Sequence, residues 1–191
     1  MNNIAVFASG SGTNAENLIK YFSGINHMNI KLVLTNNVQA GVLKRAARHG
    51  VESYVFSREE FYTTDKVKKK LLASNVDYLI LAGFLWLVPG YLIDLFPGRI
   101  INIHPALLPK YGGKGMYGMR VHQAVIENKE TESGITIHLV NNEYDKGNTI
   151  FQATCQVHPD DTPEKLAARI HELEYKYFPV TIERLIREES R

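Results

Sequence analysis

Ile4-Ala5-Val6-Phe7-Ala8-Ser9-Gly10-Ser11-Gly12-Thr13-Asn14 reads as a short apolar strand that breaks into a glycine turn and enters a helix. The helix is expected over 13–22, where Leu18, Ile19 and Phe22 recur at helical spacing. The same alternation continues outward. Strands are expected over 30–34, 51–56, 78–81 and 99–103, with helices over 42–48, 57–73 and 89–96. Gly50 stands where a helix C-cap glycine belongs. Ser57 with Glu60 three places on forms a capping box, opening a helix that runs to about Ala73. Tyr78-Leu79-Ile80-Leu81 is apolar without alternation, as in a strand buried on both faces of a parallel sheet. The β-α-β-α-β order predicts an α/β fold: a doubly wound, Rossmann-like, mostly parallel sheet with helices on both faces.

Beyond residue 103 the pattern changes. Gly112-Gly113-Lys114-Gly115-Met116-Tyr117-Gly118 is a flexible loop, and a short helix follows over 121–127. Two strands are expected over 135–140 and 149–157, joined by the turn-forming segment 141–148. Thr162-Pro163 caps a last helix carrying Leu166, Ile170, Leu173 and Tyr177, with a kink expected at Pro179.

The chain has 191 residues, 45% of them hydrophobic and 22% charged. At roughly 150 residues per domain, one domain over 1–191 is expected. The net charge of +2 argues against a protein that neutralises a nucleic acid backbone. The single cysteine, Cys155, excludes an internal disulfide and a multi-cysteine zinc site, and no histidine pair has metal-ligand spacing, so no metal is expected. The run 4–8 has no basic leader before it, and the longest apolar stretch, 78–88, falls short of the ~20 residues that span a bilayer. A cytoplasmic protein that avoids membranes is expected.

Ligands of an open parallel sheet collect beyond the carboxyl ends of its strands. Three such ends stand out: 9–14, 83–88 and 103–105. The first suits a single phosphate, cradled by backbone amides at a helix start. Gly10, Gly12 and Ala15 also fit the loose dinucleotide pattern, but Thr35-Asn36-Asn37 offers no acid to a ribose, and a Walker lysine is absent. At the third end, Asn102 and His104 lie two apart and so share a face, and Pro105 stops the ladder after them. An amide beside an imidazole suits a carbonyl that becomes an oxyanion. A strand-end histidine satisfied by backbone is the plainer reading of these two residues alone.

Asn102-Ile103-His104-Pro105-Ala106-Leu107-Leu108-Pro109 resembles the signature of the folate-dependent formyltransferases. Ser9-Gly10-Ser11-Gly12-Thr13-Asn14, Gly134-Ile135-Thr136-Ile137-His138 and Tyr144-Asp145-Lys146-Gly147 resemble the branch that formylates glycinamide ribonucleotide in purine biosynthesis. The resemblance runs over 4–182 and implies the formyltransferase fold, with a phosphate-binding half (1–100) and a folate-binding and catalytic half (101–191). It implies 10-formyltetrahydrofolate as co-substrate, 5'-phosphoribosylglycinamide as acceptor, and a monomer or homodimer working on small molecules. It assigns catalysis to Asn102, His104 and Asp145, acceptor binding to Gly12, Thr13, Asn14 and Glu174, and folate binding to Arg58, Leu85, Trp86, Leu87, Val88 and Asn102. His138 supports the site. Asp145 is expected to raise the pKa of His104 and to take the amine's proton. Glu174 is expected half-buried at the edge of the last helix's apolar stripe.

The chain departs from the family pattern in places. Leu85-Trp86 stands where many members have Met-Arg, His171 stands where some have an amide, and the glycine-rich loop over 111–120 looks long, which loosens the placing of His122. The alternatives are a formyltransferase for another amine, such as an amino-sugar nucleotide, and a non-catalytic nucleotide-binding module. The full Asn102, His104 and Asp145 set is what a binding module would not need.

Overall fold

The computed structural model describes residues 1–189. Seven strands hydrogen-bond in the order β3-β2-β1-β4-β5-β6-β7. The chain divides into two compact units, Met1–Ile101 and Asn102–Arg191.

The first unit holds β1 (Asn2–Phe7), α1 (Thr13–Phe22), β2 (Met28–Thr35), α2 (Gly41–Arg48), β3 (Glu52–Val55), α3 (Arg58–Tyr62), α4 (Lys66–Ala73), β4 (Tyr78–Leu81) and α5 (Gly90–Leu95). β1 pairs in parallel with β2 and with β4, and β2 with β3. The chain therefore leaves β1 toward one side and returns at β4 on the other, a switch point whose crevice lies at the carboxyl ends of β1 and β4. Those ends are tied together: the Ser9 amide donates to the Gly83 carbonyl at 3.0 Å, and the Leu85 amide donates to Ser9 Oγ at 3.1 Å. β4 is buried throughout, as its unbroken apolar run predicts. Phe56 and Phe61 stack at 4.9 Å, with Phe7, Phe84 and Trp86 around them.

The helix expected over 57–73 is two helices. The Ser57–Glu60 capping box opens α3 as the sequence predicts. The interruption falls at Thr63-Thr64-Asp65, where Thr64 Oγ1 donates to the Glu60 carbonyl and Lys69 Nζ pairs with Asp65 at 2.7 Å. Short polar side chains that bond locally to the backbone end helices in this way.

β5 (Ile100–His104) begins in the first unit and ends in the second. The second unit adds α6 (Met119–Glu127), β6 (Glu132–Leu139), β7 (Thr149–Gln156) and α7 (Pro163–Glu189). β6 and β7 pair antiparallel, with a register shift at Ile137/His138 just before the connecting turn. α7 runs unbroken through Pro179. Its buried row is Leu166, Ile170, Glu174, Phe178, Ile182 and Ile186, each four residues after the last. Glu174 therefore sits within the apolar row, 5% exposed, whereas Leu173 is only half-buried. The helix's true period puts the carboxylate inside, not at the edge of the stripe.

Phe61 is fully buried in the aromatic cluster. Phe61→Ala is expected to cost about 3–5 kcal/mol and to lower the urea midpoint with an unchanged slope. A loss below ~1 kcal/mol would mean the cluster does not hold the first unit.

Candidate active site

β5 carries Asn102 and His104 on one face at the strand's end. β6 carries His138 at its own end. The turn 141–148 brings Asp145 back to both. This turn is built tightly. The Glu143 amide donates to Asn141 Oδ1, and Asn141 Nδ2 donates to the Lys146 carbonyl. A Cβ on Gly147 would lie 1.6 Å from the Leu139 carbonyl, so only glycine fits there. Asp145 itself has φ 54, a left-handed conformation that aspartate tolerates better than most residues.

The Asp145 carboxylate is the meeting point. Oδ2 lies 3.5 Å from His104 Nδ1 and accepts from the Gly113 amide at 2.9 Å. Oδ1 lies 3.5 Å from His138 Nε2 and accepts from Asn102 Nδ2 at 3.4 Å. Asn102 Nδ2 also lies 3.1 Å from His138 Nε2. Burial on its own would raise the Asp145 pKa. The His138 hydrogen bond, the His104 charge and the Gly113 amide together hold it below the usual carboxylate range. Asp145 is thus ionised at neutral pH.

The imidazoles are fixed by carbonyls. His138 Nδ1 lies 2.8 Å from the Leu139 carbonyl, which can only accept. Nδ1 therefore carries a proton, and Nε2 faces both Asn102 Nδ2 and Asp145 Oδ1. His104 Nε2 lies 2.7 Å from the Tyr111 carbonyl and is protonated by the same argument. His104 is 4% exposed, and burial lowers its pKa more than Asp145 and the Tyr111 carbonyl raise it. The expected rise is therefore corrected: at this depth desolvation of the cation outweighs one partly shielded carboxylate.

Glu174 Oε2 pairs with His171 Nδ1 at 2.8 Å, and the His171 ring stacks on Tyr175. The Glu174 charge reaches both His104 and His122, favouring their protonated forms. His122 is buried on α6, with Nδ1 lacking a hydrogen-bond partner, and burial pushes its pKa down to about 4.

The other assigned residues lie in the first unit. Gly12 begins α1 at φ 76 with no side-chain cap, and Thr13 and Asn14 form the first turn after it. The Arg58 guanidinium lies over the Tyr62 ring at 5.1 Å and the Trp86 ring at 5.5 Å, and Tyr62 donates to the Leu87 carbonyl at 2.9 Å. Arg58, Trp86 and Leu87 thus meet around Tyr62. Leu85 is exposed, and Val88 is buried in the core.

Sequence reasoning missed three groups in the second unit: the Tyr111 carbonyl, the Gly113 amide, and Gly112, whose Cβ would meet Asp145 Cβ at 3.3 Å and Leu108 Cδ2 at 2.5 Å. The only signal was the glycine pair itself. Among the described residues no group of three or more His, Cys, Asp and Glu could hold a metal ion, and no helix is long and apolar enough to cross a membrane.

Comparison with known proteins adds a family. A formyl transferase family model matches residues 2–182. The chain is 40% identical to the chloroplastic phosphoribosylglycinamide formyltransferase of Arabidopsis thaliana, over 92% of this chain and 62% of that protein. It is 36% identical to the phosphoribosylglycinamide formyltransferase of Haemophilus influenzae, over 95% of this chain and 86% of that one. The chain spans only 62% and 61% of the two plant relatives. Among solved structures, glycinamide ribonucleotide transformylase 1 from Geobacillus kaustophilus superposes with a TM-score of 0.88 at 31% identity, covering 97% of this chain and 98% of that one. The phosphoribosylglycinamide formyltransferase of Bacillus halodurans superposes with a TM-score of 0.86 at 31% identity, covering 97% and 95%.

His122 gives a stability test. A histidine with a lowered folded pKa stays neutral while the unfolded chain takes up a proton. Its contribution is intact above the ordinary pKa near 6.5 and is lost as pH falls toward about 4. Between pH 7 and 5, wild type is expected to lose more stability in urea than His122→Asn. Equal losses would place His122 in water.

Proposed function

This chain belongs to the formyl transferase family, and on that premise we propose that it transfers a formyl group from 10-formyltetrahydrofolate to the amino group of 5'-phosphoribosylglycinamide. The observation that carries this reading is the meeting of Asn102, His104 and Asp145 within 3.5 Å. The names of the full-length relatives support the choice of acceptor.

The acceptor amine attacks the formyl carbon, and the carbonyl oxygen gains negative charge. Asn102 Nδ2–H and His104 Nε2–H stabilise this oxygen by exchanging for it the partners they have in the free chain, His138 or Asp145 for the amide and the Tyr111 carbonyl for the imidazole. His104 gains basicity as the negative charge arrives, which offsets the burial that keeps it neutral beforehand. The ionised Asp145 takes the amine's proton, directly or through water, and returns it to the departing folate nitrogen, which leaves Asp145 ionised again. The amine is the nucleophile, so no covalent enzyme intermediate is required.

Glu174, set in an apolar row, faces the acceptor's amine end, and Gly12, Thr13 and Asn14 take its phosphate. Arg58, lying over the Tyr62 and Trp86 rings, takes a carboxylate of the folate tail, and Trp86, Leu87 and Val88 with Leu85 flank the pterin side. On this reading 1–100 and 101–191 serve one domain as phosphate-binding and catalytic halves. The chain works on small molecules in the cytoplasm, as monomer or homodimer, without nucleic acid, membrane or metal.

The test is the folate absorbance change with 10-formyltetrahydrofolate and either acceptor. Turnover with phosphoribosylglycinamide is expected, and turnover only with an amino-sugar nucleotide would overturn the choice. Asn102→Ala is expected to lower kcat by about 10²–10³. A change confined to KM would contradict the oxyanion role.

A further inference from the structure

α2 holds the glycine turn from outside. The Val42 amide donates to the Gly10 carbonyl at 3.2 Å, and Arg45 Nε–H donates to the Ser11 carbonyl at 2.9 Å. The approach is close. A Cβ on Gly41 would lie 3.0 Å from the Ser11 carbonyl oxygen, and one on Gly12 would lie 2.5 Å from Val42. In a trans peptide the C=O and the following N–H point in opposite directions. Fixing the Gly10 and Ser11 carbonyls toward α2 therefore aims the Ser11 and Gly12 amides away from it. Successive amides aimed one way are what an anion needs.

Arg45 has a second contact. Its Nη1 pairs with Glu16, a residue 7% exposed and one turn into α1. Arg48 and His49 reach the same carboxylate at 3.3 and 3.1 Å. A carboxylate this close to the start of α1 repels any phosphate bound there unless cations offset it.

We infer that Arg45 is a positioning residue for the phosphate of the acceptor: it aims the Ser11–Gly12 peptide and neutralises Glu16. This rests on the reading of the turn as the phosphate site. Arg45 need not touch the phosphate. It acts through the peptide it holds and the charge it cancels.

Steady-state kinetics of the full chain, with each substrate varied in turn, test this. Arg45→Met is expected to raise KM for phosphoribosylglycinamide about 10-fold or more, with kcat and the folate KM within about twofold. Arg45→Lys keeps Glu16 paired but loses the Nε donor, and should recover only part of the affinity. It also carries the test if Arg45→Met fails to fold. Gly12→Val and competition by inorganic phosphate serve as references. If Gly12→Val raises the acceptor KM and phosphate competes, yet both Arg45 variants match wild type, the cradle stands and the positioning role falls. Equal rises for both substrates would overturn that role too. If phosphate does not compete and Gly12→Val leaves the acceptor KM alone, the phosphate site is misplaced, and the inference falls with it.

Discussion

A carboxylate largely shielded from water must be given partners or lose its charge. Asp145 accepts from a side-chain amide and a backbone amide, and an imidazole nitrogen lies 3.5 Å from each of its oxygens. The local structure of the second unit is arranged around that requirement. β5 and β6 deliver histidines from their ends to it, His104 and His138, Gly147 lets the turn close against Leu139, and Gly112 lets the neighbouring loop approach. Because the carboxylate stays ionised, the polar groups on the two strand ends converge instead of turning to solvent.

The same convergence sets the protonation pattern. His104 and His138 each have one nitrogen fixed by a carbonyl and the other facing Asp145. His104 is nonetheless held toward its neutral form by burial. It is therefore poised: a new negative charge beside it changes the balance, whereas a pre-formed imidazolium would already be compensated by Asp145. In the proposed reaction, stabilisation by His104 is therefore larger in the transition state than in the free chain, which is the condition for catalysis.

How much was legible in the sequence follows from which interactions are local. The strand, glycine turn and helix at 4–22 are decided by residues next to one another, and so is the Ser57–Glu60 box. The Asn102–His104 pair shares a face by strand period alone. The break at 63–65 was missed because apolar periodicity continues across it while threonine–backbone bonds interrupt the helix. Glu174 was placed at an edge because Leu173 and Tyr177 looked equally apolar. The row spaced by four from Leu166 to Ile186 shows the face that is buried. The Tyr111 carbonyl and the Gly113 amide left no mark, since a backbone group's direction depends on a loop path no side chain names. The lowered pKa of His104 was hidden for a related reason: pairing with an acid can be guessed from sequence, but depth of burial cannot.

The most direct test of this account is a ¹⁵N NMR titration of the histidine side chains in wild type and Asp145→Asn. His104 is expected to titrate below the ordinary value near 6.5 in wild type and lower still once the aspartate charge is removed. An unchanged His104 titration in Asp145→Asn would mean that the imidazole and the carboxylate do not meet in solution.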